Sequence, residues 1–257
     1  MPKRRKKKNV PPSDGPQDFP PFAPPCEHAL YEHQHGKQEA ALDSYLECSL
    51  QIDPQHPFHR SGDMYSNIGS IYEQRGEQGA ALTYLQMALA LAPGHQLAHY
   101  NAGNALRGLS RREEAVASYQ SSLTAVYDPR FAHPTAEMRL SQRWKTLSNL
   151  GDMLMGFVGR RAEAVAAYHE AMTIAPAEAY QATFNWGVLR YQQNDPYAAA
   201  HAFAATLAIS PGYVEAYNNL ATALQQQARF DESATQFRHA LALRPDTSNQ
   251  AHVFLGD

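Results

Sequence analysis

The chain has 257 residues, 44% of them aliphatic, aromatic or cysteine, a net charge of −3 and a mean hydropathy of −0.51. That composition supplies a core but no apolar run of about 18 residues, so no membrane-spanning helix is expected. The two cysteines, Cys26 and Cys48, stand at no metal-ligand spacing and form no framework, and the basic N-terminus is not followed by the apolar stretch of a secretory signal; a reducing, intracellular setting, nucleus or cytoplasm, is expected.

Residues 1–25 read as a disordered tail. Lys3, Arg4, Arg5, Lys6, Lys7 and Lys8 form a basic run, and removing their six charges from −3 leaves −9 for the rest of the chain. The positive charge is therefore a property of the tail. An exposed run of this kind reads as a nuclear-import signal that engages an import receptor. Prolines at 11, 12, 16, 20, 21, 24 and 25 follow, and such a segment is biased to extended conformations without a packed core.

From residue 26 the pattern becomes helical. The stretch 26–54 reads as a worn helix pair: Gly36, Ala41, Tyr45 and Cys48 keep a second-helix pattern, with Cys48 in a small-residue packing place. His28, His33 and His35 lack carboxylate or cysteine partners at ligand spacing, so a solvated helix face is expected and not a metal site. The clearest unit follows at 63–93. Tyr65, Ile68, Gly69 and Tyr72 lie at i, i+3, i+4 and i+7, one face of a helix. Gly76 marks its stop; Ala81, Leu85, Ala88 and Leu89 form a second apolar stripe, and Pro93 ends the unit. Two short helices cannot bury their outer sides alone.

The same spacing returns along the chain. Gly103 is followed by Ala115 and Tyr119; Gly151 by Ala164, Tyr168, Ala171 and Pro176; Gly187 by Ala199, Phe203 and Pro211; Ala221 by Ser233, Phe237, Ala240 and Pro245. This resembles the W-x2-L-G-x2-Y…A-x3-F…P signature of tetratricopeptide repeats. The resemblance implies an all-α fold, a right-handed α-α superhelix in which each pair packs on the next. The expected organisation is a tail over 1–25 and an array of about six repeats over 26–257, ending in the start of a seventh. Residues 130–143 are extra and are expected to lengthen the first helix of the fourth repeat. Leu255 and Gly256 look like the opening of another first helix, so the last full repeat is expected to be a weak end, in a truncated chain or under a partner.

Catalytic chemistry is not expected, and neither is a cofactor. The stretch GNALRGLS at 103–110 has phosphate-loop glycines but Leu109 where the lysine must be, and HEAMT at 169–173 has Thr173 where a zinc HExxH needs its second histidine. His95 and His99 read as a helix start, with His99 in the place of Tyr65.

Two residues before each small residue stands an asparagine: Asn67, Asn101, Asn149, Asn185 and Asn219, spaced by 34, 48, 36 and 34 residues. At about 100° per residue each points away from the glycine that faces the paired helix. A planar amide, with donors and an acceptor, matches a peptide main chain. An asparagine row along the inner repeat surface resembles that of O-GlcNAc transferases, which implies that these five residues hold an extended protein segment in a concave groove. The same side chains in the alternative reading bond neighbouring helices together. A two-carboxylate clamp needs Lys and Arg where this chain has Ser66, Tyr100, Ser148, Phe184 and Asn218 and the asparagines. Other groove residues, Asp63, Glu73, Arg107, Lys145, Asp152 and Glu215, are mixed in sign, and no nucleic acid is expected there. The sequence thus predicts a non-catalytic scaffold that binds a partner protein. The alternative is the recognition region of a larger O-GlcNAc-transferase-like or other repeat-fused enzyme.

Overall fold

The structure is a computed structural model that describes residues 25–50, 62–126 and 135–244. The basic run Lys3–Lys8, most of the proline-rich tail, and residues 247–257 lie outside the described residues. Two compact units divide the chain, Met1–Pro54 and Gln55–Asp257. Among the described residues all regular structure is helical.

The first unit is a helix pair, α1 (Pro25–Gln34) and α2 (Gln38–Leu50). Between them Gly36 turns the chain at φ 73°. Ala41, Tyr45 and Cys48 are fully buried. Cys48 is also disulfide-bonded, which corrects the expectation that it serves packing alone; sequence spacing does not reveal what packing brings to a buried sulfur. The three histidines find protein partners. His33 Nδ1 lies 3.2 Å from the Tyr45 hydroxyl, and burial holds the His33 pKa below its ordinary value. His28 Nδ1 lies 3.4 Å from Ser44 Oγ, and His35 Nδ1 lies 2.8 Å from the Tyr31 carbonyl.

Among its described residues the second unit repeats one pairing five times. Its first helices are α3 (Asp63–Gln74), α5 (Gln96–Gly108), α7 (Ala136–Met155), α9 (Tyr180–Gln192) and α11 (Val214–Gln226). The second helices are α4 (Gln78–Leu91), α6 (Arg112–Thr124), α8 (Arg161–Ile174), α10 (Pro196–Ile209) and α12 (Phe230–Leu243). Each first helix packs on the second helix that follows, and each pair packs on the next. This is the solenoid that the repeated spacing predicts.

The recurring glycine explains how close the two helices come. A Cβ added at Gly103 would lie 2.5 Å from the Tyr119 ring, one at Gly151 2.5 Å from the Tyr168 ring, and one at Gly187 2.8 Å from the Phe203 ring. The rings are fully buried or nearly so, so each sits where a side chain on the glycine would have to be. Ala221 takes this place in α11, buried beside Phe237.

Among the described residues four of the five links from first to second helix use one backbone device, while the α7–α8 link passes through Gly156 at φ −71° and a 3-10 turn at Val158–Arg160. Gly76 adopts φ 79°, and Ser110, Asn194 and Ala228 adopt φ 59°, 62° and 60° at the corresponding turns. An L-residue in this left-handed conformation costs about 1–2 kcal/mol relative to glycine. The turn is set by the helix pair on either side of it, so the repeat tolerates that cost at Ala228.

Of the extra residues, 130–134 lie outside the described residues and 136–143 lengthen the first helix of the fourth repeat, which runs for 20 residues against 12 or 13 in the others. Thr135 caps it, its side chain accepting a hydrogen bond from the Met138 amide at 3.1 Å. Met138 and Leu140 on the added turns are exposed, while Arg143 is held to Glu170 of α8 by an ion pair at 2.5 Å. His95 is the N-cap of α5, as a helix start requires. Its Nδ1 accepts from the Ala98 amide at 3.1 Å, which leaves the Nε2–H to donate to Asp63 Oδ1 at 2.9 Å. That one ring ties α3 to α5.

Candidate functional site

The five asparagines stand on the five first helices of the second unit, Asn67 on α3, Asn101 on α5, Asn149 on α7, Asn185 on α9 and Asn219 on α11. Four are half-buried, and Asn101 is only 7% exposed. Their surroundings differ, and the difference follows from two other positions in the preceding repeat.

At the α5–α7 junction the acceptor is Asn104, the residue after Gly103. Its Oδ1 accepts from the Tyr119 hydroxyl at 2.8 Å and from Asn149 Nδ2 at 3.0 Å. Asn149 Nδ2 also lies 3.4 Å from the Tyr100 hydroxyl, and Arg107 Nη1 donates to Asn149 Oδ1 at 3.4 Å. One repeat later the acceptor is Asp152, the residue after Gly151. Its Oδ1 accepts from the Tyr168 hydroxyl at 2.7 Å and from Asn185 Nδ2 at 2.6 Å. The same three-part knot thus occurs twice: a second-helix tyrosine and the next repeat's asparagine share one side-chain oxygen.

The two knots differ in charge. Burial raises the Asp152 pKa above its ordinary value, against the hydrogen bonds from Tyr168 and Asn185 and the more distant charge of Arg107, all of which favour the carboxylate. Burial also raises the hydroxyl pKa of Tyr119 and Tyr168, the latter helped by the negative charge of Asp152. Both tyrosines therefore remain hydrogen-bond donors at neutral pH. Such bonds are worth about 0.5–1.5 kcal/mol each net, whereas a buried group left unpaired costs about 1–3 kcal/mol.

Asn101 and Asn219 form no side-chain hydrogen bond among the described residues. Ahead of Asn101, Leu85 stands where the tyrosine would be and Ser70 where the acceptor would be. Ahead of Asn219, the corresponding residues are Phe203 and Val188. Neither pair supplies a hydroxyl donor together with an amide or carboxylate acceptor. At the α9–α11 junction the space stays open as a pocket of about 300 Å³ lined by Val188, Tyr191, Gln192, Phe203, Asn219 and Thr222. Gln226 Nε2 donates to the Tyr191 hydroxyl at 2.7 Å, which links the same two helices.

Sequence periodicity placed the asparagines on equivalent turns, and its alternative reading, bonds between neighbouring helices, is what Asn149 and Asn185 make; it did not say which asparagines bond or to what. The signal was present: tyrosine at 119 and 168 coincides with Asn or Asp one residue after the glycine, and leucine or phenylalanine does not. Of the mixed-charge residues expected alongside the asparagines, Arg107 and Asp152 join them. Asp63 is engaged by His95, and Glu215 pairs with Arg244 at 3.3 Å at the exposed start of α11. Gly103 and Gly108 lie within α5, so GNALRGLS is helix and not a phosphate loop. Among the described residues no three His, Cys, Asp or Glu side chains gather as metal ligands, and no helix is long and apolar enough to cross a membrane.

Three segments match models of the tetratricopeptide repeat, residues 62–95, 98–132 and 214–252. Over 92 residues, 36% of this chain, the sequence is 34% identical to the protein O-mannosyl-transferase Tmtc3 of Drosophila melanogaster, of which the match spans 9%. Among solved structures, Pseudomonas aeruginosa PilF aligns with a TM-score of 0.69 at 16% identity, over 90% of this chain and 95% of that one. A chain of the APC/C hetero-tetramer Cut9–Hcn1 aligns with a TM-score of 0.63 at 18% identity, over 90% of this chain and 42% of that one. YrrB, described as a TPR protein with an unusual peptide-binding site, aligns at 0.59 and 19% identity, over 76% of this chain and 92% of that one. At these identities the likeness to solved structures is one of fold. The stacked helix pairs, the glycine contacts and the three matched segments agree: the chain is a tetratricopeptide-repeat protein, with a fold of the protein-interaction class.

Proposed function

We propose that the row of first helices in the second unit binds an extended segment of a partner protein, with the asparagines gripping its main chain. The observation that carries this reading is the amide at one helical position in five successive repeats. The knots support it in a further way. Asn185 spends one donor on Asp152, and that bond fixes the plane of the amide. A second N–H and the side-chain oxygen remain for a ligand, already oriented, so less entropy is lost on binding. Adjacent first helices lie on the order of 10 Å apart, about three residues of extended chain. YrrB, similar in fold, is itself described as having a peptide-binding site. Asn101, being nearly buried, is the weakest rung of the five.

Asn219 gives the cleanest test, because among the described residues it has no hydrogen bond to lose. Labelled dodecapeptides selected from a random library on the whole chain should bind Asn219→Ala several-fold more weakly, with an unchanged melting temperature. Unchanged affinity for Asn67→Ala, Asn185→Ala and Asn219→Ala alike would overturn the ladder.

A second reading is favoured by the match to a protein named as an O-mannosyl-transferase, of which the matched stretch is a small part. In it this array is the substrate-recognition region of a larger enzyme. Immunodetection of the endogenous protein separates the two: a species near 28.5 kDa fits a scaffold, and a much larger one fits the enzyme. In either reading the run Lys3–Lys8 is proposed to serve nuclear import, which deletion of residues 1–8 from a tagged protein tests through its nuclear signal.

A further inference from the structure

The pocket between α9, α10 and α11 lies where a polar knot would be expected. In the two preceding junctions a tyrosine hydroxyl and an Asx side chain fill this space and occupy the asparagine. Here Phe203, 1% exposed, lines the pocket with Val188, Tyr191, Gln192 and Thr222, and the lining is mostly apolar. Asn219 also lines it, with no side-chain hydrogen bond among the described residues. Apolar walls beside an uncommitted amide suit one kind of occupant: an amino-acid residue with an aliphatic side chain, seen from its main chain. A charged side chain would leave its ion desolvated against Phe203 and Val188 without a partner. An apolar small molecule would leave the Asn219 amide unused.

We propose that this pocket receives one aliphatic side chain of the bound segment while the Asn219 amide bonds that residue's main chain. The inference rests on the reading of the first-helix row as a binding surface for an extended segment, and it adds what that reading lacks, a position at which the segment's sequence is read. Main-chain rungs accept any sequence. A pocket at one rung selects the segments that place Leu, Ile, Val or Met there.

The probe is N-acetyl-leucine N-methylamide, titrated into the whole methyl-labelled chain and followed by nuclear magnetic resonance. Val188 and Thr222 methyl signals should shift saturably, and the alanine analogue should bind at least about tenfold more weakly, since it buries several fewer methylene equivalents. Two variants close the pocket. Val188→Asp with Phe203→Tyr rebuilds the knot of the preceding junction and should abolish the response, and Thr222→Leu fills the space from the rim should the first variant fold poorly. Met138→Ala, on the exposed added turns of α7, should leave the response intact. If Val188 and Thr222 do not respond to the leucine probe, or respond equally to the alanine analogue, the pocket assignment is overturned. In that event weakened dodecapeptide binding by Asn185→Ala would still uphold the main-chain ladder. A leucine response that both closing variants remove, with dodecapeptide affinity indifferent to the ladder asparagines, would uphold the pocket and sink the ladder.

Discussion

At the α7–α9 junction Tyr168 and Asn185 meet on one oxygen of Asp152; at the α9–α11 junction Phe203, Asn219 and Val188 occupy the same three places and leave a pocket. The backbone solution is common to both, a glycine in the first helix with an aromatic ring seated on it. What changes is a hydroxyl and the residue after the glycine. Two substitutions in a repeat thus convert a junction that ties its asparagine by a hydrogen bond into one where, among the described residues, the asparagine has none. The lesson is that repeats of one fold need not use the same side chain in the same way, and that the difference lies in pairs of residues from opposite helices.

The largest expected effect tests the shared part of the comparison. Gly151→Ala places a Cβ 2.5 Å from the Tyr168 ring, and the loss should reach up to about 3 kcal/mol, because the ring must move and the knot moves with it. Ala221→Gly, at the α11 position that already holds a buried methyl, should cost about 1–2 kcal/mol through helix propensity and the lost methyl contact. Urea unfolding of both variants checks the contrast, and equal losses would mean that the glycine contact is not what seats the ring.

Next in size is the hydroxyl. Tyr168→Phe removes one of two donors from a buried carboxylate and should cost about 2 kcal/mol. Phe203→Tyr introduces a hydroxyl facing Val188, with no acceptor in the place of Asp152, and should also destabilise. Adding Val188→Asp to Phe203→Tyr should recover part of that loss. A double-mutant cycle on melting free energies measures the coupling, and additivity would deny that the knot can be transplanted.

The asparagines themselves come third. Asn185→Ala should cost about 1 kcal/mol of stability, since Asp152 loses a donor. Asn219→Ala should be neutral or slightly stabilising, because alanine is the better helix former and no bond is lost. Thermal melts of the two single variants suffice, and a destabilised Asn219→Ala would show that Asn219 is not free within the fold.

The smallest effect sharpens the difference between the two knots. The Asp152 pKa is raised in the folded chain by burial, so the folded state binds a proton more readily than the unfolded one. Stability linked to this group therefore rises as pH falls through the raised folded pKa towards the ordinary value of 3.8, and the ionised carboxylate works against the fold at neutral pH. Asp152→Asn keeps an oxygen for both donors, as Asn104 does at the other knot. The variant should be more stable than the parent at pH 7, with the gap narrowing as the pH is lowered. A gap that widens in acid would reverse the sign of the argument.

The sequence by itself determined the helix pairs and their order, because that information is local. Apolar residues at i, i+3, i+4 and i+7, a small residue at the close contact and a turn after it recur within about 34 residues. Every partner in a helix pair lies in the same short stretch of chain. It also determined that residues 136–143 would extend a first helix, since nothing between Thr135 and Met155 breaks one. Tertiary structure decided what the asparagines do. Asn149 reaches Asn104 across 45 residues and Asn185 reaches Asp152 across 33, and no local pattern constrains such a meeting. Cys48 is the same case on a smaller scale: buried in α2 and disulfide-bonded, it looked in sequence like any small packing residue. Whether a polar side chain on a repeat is tied down or left open depends on what the neighbouring helix pair places opposite it, and that is known only once the pairs are stacked.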